Sequence, residues 1–152
     1  MRIRDYLPSD FERLYEIDHA AFSAELAYSR EELAHYVAAR GGRTVVAEEG
    51  GGIVGFAVGG GRRGLGHIVT LDVAPQWQRQ GIGSRLLAEL EASLARQGAR
   101  AIALETAVGE EGARHFYEKH GYVVVERIRG YYDGGLDAFL MIKRLSRAVR
   151  AP

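Results

Sequence analysis

The stretch Gln78-Arg79-Gln80-Gly81-Ile82-Gly83-Ser84 is the part of this chain whose residue types and spacing most directly suggest binding chemistry. An alternating apolar run, His67 to Val73, and the turn Ala74-Pro75 come before it. After it, Ile82, Leu86, Leu87, Leu90 and Leu94 recur at three- and four-residue intervals, the mark of an amphipathic helix. The implied order is strand, glycine turn, helix. A helix start leaves main-chain N–H groups without intrahelical partners at the positive end of the helix dipole, a setting that suits a phosphate. Gly81 and Gly83 carry no Cβ to hold such an anion away. No Lys follows the glycines, so this is not a P-loop, and position 86 is Leu where a Rossmann fingerprint needs a third glycine.

Ionisable groups set in apolar surroundings come next. Glu105 lies near the end of the run Ala101-Ile102-Ala103-Leu104, where a carboxylate is either a strand-end surface charge or faces a cleft. Tyr117 sits on a short helical segment, Glu110 to His120, and suits either the core or acid catalysis. His67 opens the strand leading to the glycine turn. Cysteine is absent, which removes disulfides, thiolate catalysis and Cys-ligated zinc together. His19, His35, His115 and His120 have no ligand spacing, so no metal is expected. No serine stands in a nucleophile-elbow sequence, so a covalent acyl-enzyme is not expected either.

The elements that must position these groups follow from periodicity. A first strand spans residues 2 to 6, and Ser9 with Glu12 has capping-box spacing ahead of a helix carrying Phe11, Leu14, Tyr15, Ile17, Asp18 and Phe22. Ser29 to Glu32 is a second capping box, opening a helix that ends near Gly41-Gly42. Two strands, Thr44–Glu48 and Ile53–Val58, flank the turn Gly50-Gly51-Gly52. Gly59-x-Gly61-x-x-Gly64 matches a dinucleotide fingerprint as text, but a strand follows at once, so Gly59 to Gly66 reads as a flexible hairpin loop with Arg62 and Arg63 at its tip. After the long helix come a strand at 101–106, the short helix, and two last strands at 122–128 and 138–142. The order is βααβββαβαββ: an α/β (α+β) fold, its mixed sheet mostly antiparallel with a central parallel pair and helices on both faces.

The length of 152 residues suits one domain, expected over 1–145, with a short basic, solvated tail at 146–152. Twenty Lys+Arg balance twenty Asp+Glu, so no global field draws the chain to nucleic acid or membrane. No apolar run approaches the roughly 20 residues that cross a bilayer, and the N-terminus reads as a strand rather than a signal peptide, so a cytoplasmic protein is expected.

Gln78-x-x-Gly81-x-Gly83, placed between strand and helix, resembles the acetyl-CoA signature of the GNAT N-acetyltransferases. Ala113-x-x-Phe116-Tyr117-x-Lys119-x-Gly121-Tyr122 is similar to the closing motif of that family. Gly66 to Val73, Leu104-Glu105-Thr106 and Tyr131-Tyr132-Asp133-Gly134-Gly135-Leu136-Asp137-Ala138 resemble segments of its RimI-like and Ard1-like protein N-terminal acetyltransferases. The likeness covers nearly the whole chain and implies the same element order. It further implies that the amides from Arg79 to Ser84 (Arg79, Gln80, Gly81, Ile82, Gly83, Ser84) hold the pyrophosphate of coenzyme A, with Gln78 heading the motif. Leu71, Asp72 and Val73 would run beside the pantetheine arm, which Ala113 and the residue at position 110 would also meet. The family has Asn at that last position. Here it is Glu110, which accepts but cannot donate a hydrogen bond, so this contact is altered.

The resemblance also assigns chemistry. Transfer from a thioester to an amine requires a neutral amine, a polarised carbonyl and protonation of the departing thiolate. An α-amino group (pKa about 8) costs about 1.4 kcal/mol to deprotonate at pH 7, and a lysine (about 10.4) about 4.6. The likeness implies Glu105 as the base, His67 as an aid that orders a relaying water, and Tyr117 as the acid. Tyr131 and Tyr132 would line a peptide groove opposite the loop with Glu25, Leu26 and Tyr28. The acceptor is expected to be a protein or peptide N-terminus. A small amine such as a polyamine, amino acid or aminoglycoside, and a non-catalytic acyl-CoA-binding module, remain open at this stage, as does the oligomeric state.

Overall fold

In the computed structural model, which describes residues 1–146, alternation and 3.6-residue periodicity resolve into seven strands and four helices. In chain order these are β1 (Arg2–Asp5), α1 (Phe11–Ala21), α2 (Arg30–Val37), β2 (Arg43–Glu49), β3 (Gly52–Arg62), β4 (Leu65–Val73), α3 (Ile82–Arg96), β5 (Ala101–Ala107), α4 (Glu111–Lys119), β6 (Val123–Ile128) and β7 (Ala138–Arg144). All strands lie in one sheet of order β1-β2-β3-β4-β5-β7-β6, antiparallel except for the β4–β5 pair. The expected order βααβββαβαββ and its central parallel pair are therefore present.

Burial divides the apolar residues between the two faces of the sheet. Leu86, Leu87, Leu90 and Leu94 of α3 pack with Val45, Ala57, Ile102, Leu104 and Met141. Leu14 and Ile17 of α1 and Leu33 of α2 pack on Val46, Phe56 and Val58 on the other side. Helices thus cover both faces, each presenting the stripe that its sequence period lays down.

The local chemistry departs from expectation in three places. Ser9 does not cap α1. A 3-10 turn, Pro8–Asp10, precedes that helix, and the Asp10 carboxylate accepts the Leu7 N–H at 2.7 Å while Arg4 holds it at 2.9 Å. Asp10 is better placed because Arg4 from the neighbouring strand removes the cost of burying its charge. Ser29 does form the box: its hydroxyl accepts from Glu32 N–H at 3.1 Å, and the Glu32 side chain accepts from Ser29 N–H at 2.9 Å.

Gly59 to Gly66 is not a flexible loop. After a bulge at Val58/Gly59, β3 and β4 stay paired through Gly59↔Ile68, Gly60↔His67 and Gly61↔Gly66, leaving only Arg63 and Gly64 in the turn. The glycines are there for contact: a Cβ on Gly59 would lie 2.9 Å from the His67 carbonyl oxygen and 3.1 Å from Leu90. Finally, β7 runs on to Arg144, past the expected end at 142, so Lys143 belongs to the sheet, where its amine reaches Glu91 at 3.0 Å. Of the expected tail at 146–152, residues 147–152 lie outside the described residues.

Candidate active site

The site arises where the parallel pair comes apart. β4 and β5 pair only at Leu65↔Ala101, Gly66↔Ile102 and His67↔Ala103. Beyond that point the strands splay. A cleft of about 760 Å³ opens between them, within the ordinary range for ligand sites.

Main-chain accounting identifies the free groups on the β4 side. Ala74 N–H donates to Val54 C=O at 2.8 Å, toward β3. Alternation along a strand then turns the polar groups of Val73 and Leu71 toward the cleft. Val69 faces it too, and its carbonyl accepts the Tyr28 hydroxyl at 3.1 Å. The Val73 carbonyl accepts the Gln78 side-chain amide at 3.0 Å. Gln78 therefore ties the glycine turn to the end of β4.

The turn itself has the anticipated open row of donors. Main-chain hydrogen bonds end at Gln78 N–H on Pro75 C=O and resume at Arg85 N–H on Gly81 C=O. Gly81 caps α3 in the left-handed region at φ 84°, and Arg79 adopts φ 63°. Gly83 is already helical; a Cβ there would meet the Phe116 ring at 3.3 Å, so its glycine lets α4 close on α3. Gln78, Arg79, Gly81, Gly83 and Ser84 border the cleft. Gln80 and Ile82 do not: the Gln80 side chain turns back to Gln76 C=O, and Ile82 is buried in the core. For those two only a main-chain role is left.

Glu105 borders the same cleft, and its Oε1 lies 2.7 Å from His67 Nε2 across the last paired rung. The Glu105 side chain is only 16% exposed, and its charge is felt by the Tyr131 phenol. Burial and this carboxylate push the Tyr131 phenol up to about 12. His67 thus touches Glu105 directly rather than standing apart from it. Tyr117 packs edge-on against Phe116 and Tyr122, with ring centroids 5.2 and 5.5 Å away, yet borders the cleft. Burial, then the charge at Asp72, raises the Tyr117 phenol above its ordinary value, so it is a protonated donor at neutral pH. Core packing and cleft access, alternatives at the level of sequence, are both true of it.

Glu110 and Ala113 line the cleft from the start of α4, and Leu26, Tyr28 and Tyr132 from its far side. Tyr131, 46% exposed, stacks edge-on with Tyr132 at 4.9 Å. Glu25 is exposed and does not reach the cleft; it lies across from Gly134. Asp72 borders the cleft with its side chain fully buried, in company with Asp18 of α1, a residue that spacing had placed simply on an amphipathic helix. Phe22 and Phe116, with His115 and Lys119 of α4, also line the cleft.

A mixed sheet splayed beside an open helix start is the architecture of a nucleotide-dependent acyl-transfer enzyme. The family model described as Acetyltransferase (GNAT) family matches residues 11–122, and the chain belongs to that family. An uncharacterized N-acetyltransferase of Methanocaldococcus jannaschii is 33% identical over 149 residues, spanning 97% of this chain and 94% of its own. An N-alpha-acetyltransferase of Sulfurisphaera tokodaii is 32% identical over 155 residues, covering 92% and 90%. Among solved structures, Ard1 from Thermoplasma volcanium superimposes with a TM-score of 0.85 at 26% identity, covering 96% of this chain and 98% of that one. The donor used by this family is acetyl-CoA. The free N–H row at α3 fits its diphosphate.

Proposed function

We propose that this chain transfers acetyl from acetyl-CoA to the α-amino group of a protein or peptide, by direct attack while both substrates are bound. The observation that carries the reading is the shared cleft itself. It brings the unpaired start of α3, the free edge of β4, a carboxylate paired with a histidine, and a buried phenol to one cavity. The relatives named N-alpha-acetyltransferase support this choice of acceptor.

In this reading Arg79 to Ser84 hold the diphosphate by main-chain N–H groups. Leu71 and Val73 pair with the pantetheine arm as a neighbouring strand would. The Val73 N–H, whose own carbonyl is already engaged by Gln78, polarises the thioester carbonyl. Glu105, oriented by His67, takes the amine proton through water, and Tyr117 gives its proton to the departing thiolate. Leu26, Tyr28, Tyr131 and Tyr132 flank the incoming peptide, with Glu25 at the rim. Glu110 meets the cofactor arm as an acceptor only.

Thiol release from acetyl-CoA, measured against N-terminal peptides, free lysine and polyamines, tests the reading. Peptides are expected to lead in kcat/KM. Turnover with polyamines alone would replace the acceptor assignment, and no thiol release with any amine would leave only a binding module.

A further inference from the structure

Two buried carboxyl groups in the cleft have no place in the chemistry above. Asp18, on the last turn of α1, and Asp72, between Leu71 and Val73 on β4, are 0% and 1% exposed. One oxygen of each is satisfied: Asp18 Oδ2 accepts the Tyr28 N–H at 2.8 Å, and Asp72 Oδ1 accepts the Thr70 hydroxyl. The other oxygen of each, Asp18 Oδ1 and Asp72 Oδ2, is buried without a donor from any described residue. The two side chains are within hydrogen-bonding reach of one another. No Lys or Arg among the described residues forms an ion pair with either.

Two touching carboxylates cut off from water cannot both remain ionised. One proton between them supplies the missing donor for one orphan oxygen and the missing partner for the other, and that proton belongs to the pair rather than to either residue. We propose that Asp18 and Asp72 are a positioning pair: they share a single proton across the α1–β4 contact and so clamp the acceptor-side loop onto the cofactor-side strand.

The connections on each side give the clamp its meaning. Asp18 holds the Tyr28 N–H, and the Tyr28 hydroxyl in turn holds Val69 C=O of β4, so the loop from Phe22 to Tyr28 is tied down at both ends of one tyrosine. Asp72 sits between the two residues whose main chain faces the cleft. The other ionisable groups of the cleft and its walls are the phenols of Tyr28, Tyr117 and Tyr132, the Glu105 and Glu110 carboxylates, Arg79, Lys119 and His115, with His19 beside Asp18 on α1, held on the Tyr28 carbonyl. None of these cations forms an ion pair with either aspartate, so the shared proton is what neutralises the contact. Burial and the Asp18 carboxylate push the Asp72 carboxyl well above the usual range, in agreement with that geometry. The inference rests on reading β4 as the cofactor strand.

The test uses urea unfolding and steady-state kinetics on the full chain. The native pair keeps a proton that the unfolded chain releases above about pH 4, so stability falls as pH rises from there to the pair's raised value. Relative to Asp72→Asn, the wild-type unfolding constant is expected to rise about tenfold per pH unit between the unfolded value and the raised one. Asp18→Ala is expected to raise the peptide KM at least tenfold while the CoA Kd stays within twofold. Asp18→Asn, which can still accept from Tyr28 N–H and can donate to Asp72, is expected to restore that KM to within threefold of wild type. A stability difference between wild type and Asp72→Asn that stays flat in pH overturns the shared proton. A loss of peptide and CoA binding in equal measure in Asp18→Ala overturns the clamp. If wild type itself fails to bind CoA, the cofactor reading of β4 falls first and the positioning role with it, whereas flat pH dependence with intact CoA binding removes the pair alone.

Discussion

Replacing Glu105 by Gln separates the base from everything else in the cleft. The substitution keeps shape and keeps an Oε1 that can accept from His67 Nε2, now 2.7 Å away. It removes only the ability to take a proton. Positioned general bases contribute about 10²–10⁴-fold, so kcat/KM with a peptide acceptor should fall at least about a hundredfold at pH 7, equivalent to about 2.7 kcal/mol of barrier. The deficit must then depend on pH in a calculable way. An α-amino group with pKa near 8 is neutral in about one molecule in eleven at pH 7 and about ten in eleven at pH 9. Raising the pH by two units therefore supplies about tenfold more of the reactive form without any base. The wild-type-to-variant ratio should shrink by about that factor. A lysine acceptor, near pKa 10.4, would shrink it by about a hundredfold over the same interval. The assay is thiol release under kcat/KM conditions at pH 7, 8 and 9, with acetyl-CoA saturating. A loss below threefold, or a ratio that does not change with pH, would refute Glu105 as the group that receives the amine proton.

Three further outcomes are expected. Tyr117→Phe should lower kcat by about 10²–10⁴-fold with CoA affinity kept within a few-fold. Because burial raises the phenol, the wild-type profile should show no alkaline decline from Tyr117 below about pH 10, and calorimetric CoA titration checks the binding half. Asp10→Asn should cost about 1–3 kcal/mol at pH 7, because it leaves Arg4 without its buried partner. Arg4 lowers the Asp10 carboxyl in the folded state, so this stabilisation is present above the unfolded value near 3.9 and is lost as pH falls through the folded one. Urea midpoints of wild type and Asp10→Asn should thus converge in acid. Gly59→Val should destabilise by about 1–3 kcal/mol through overpacking against the His67 carbonyl and Leu90. An unchanged melting temperature would restore the flexible-loop picture of that segment.

The parts of the fold readable in the chain were those with a strong local period. The α3 stripe, the Ser29 box and the alternation of β4 each needed only neighbours in sequence. Gly59 to Gly66 did not read correctly because glycine in a strand has two opposite causes, looseness and close contact. The contact is with Leu90, about thirty residues away on α3. Ser9 misled for a related reason: the side chain that fastens this turn is Asp10, which accepts the Leu7 N–H and is held by Arg4 from another element. In the site, Glu105 and Tyr117 could be named as candidates but not joined, since their meeting depends on how far β4 and β5 stay paired. Asp18 and Asp72 had a faint signal, an acid within an apolar stripe and another inside an apolar strand. Only the fold brings the two together.

The splay explains why one short interruption in a sheet can serve both substrates. A strand edge left unpaired inside a protein is costly unless each N–H and C=O finds a partner. On β4 the protein satisfies these groups selectively. The Val69 carbonyl receives Tyr28, the Val73 carbonyl receives Gln78, and the cleft-facing groups of Leu71 with the Val73 N–H remain for a ligand. Each of the two satisfied carbonyls is capped by a residue of a different functional segment: Tyr28 from the acceptor-side loop and Gln78 from the diphosphate turn. β4 is therefore the member through which both ends of the cleft are registered to one another. A shift of this strand by even one residue would exchange cleft-facing groups for those bound to β3. The bulge on β4, where Val58 pairs with Thr70 and Gly59 with Ile68, sets that register just before the splay begins. On this account, deleting Val69 should abolish CoA binding while leaving α3 and the opposite core intact, because it moves the donors without touching the residues that would be named catalytic. Retained CoA affinity in that deletion, with the fold confirmed by circular dichroism, would show that the diphosphate turn binds independently of the strand.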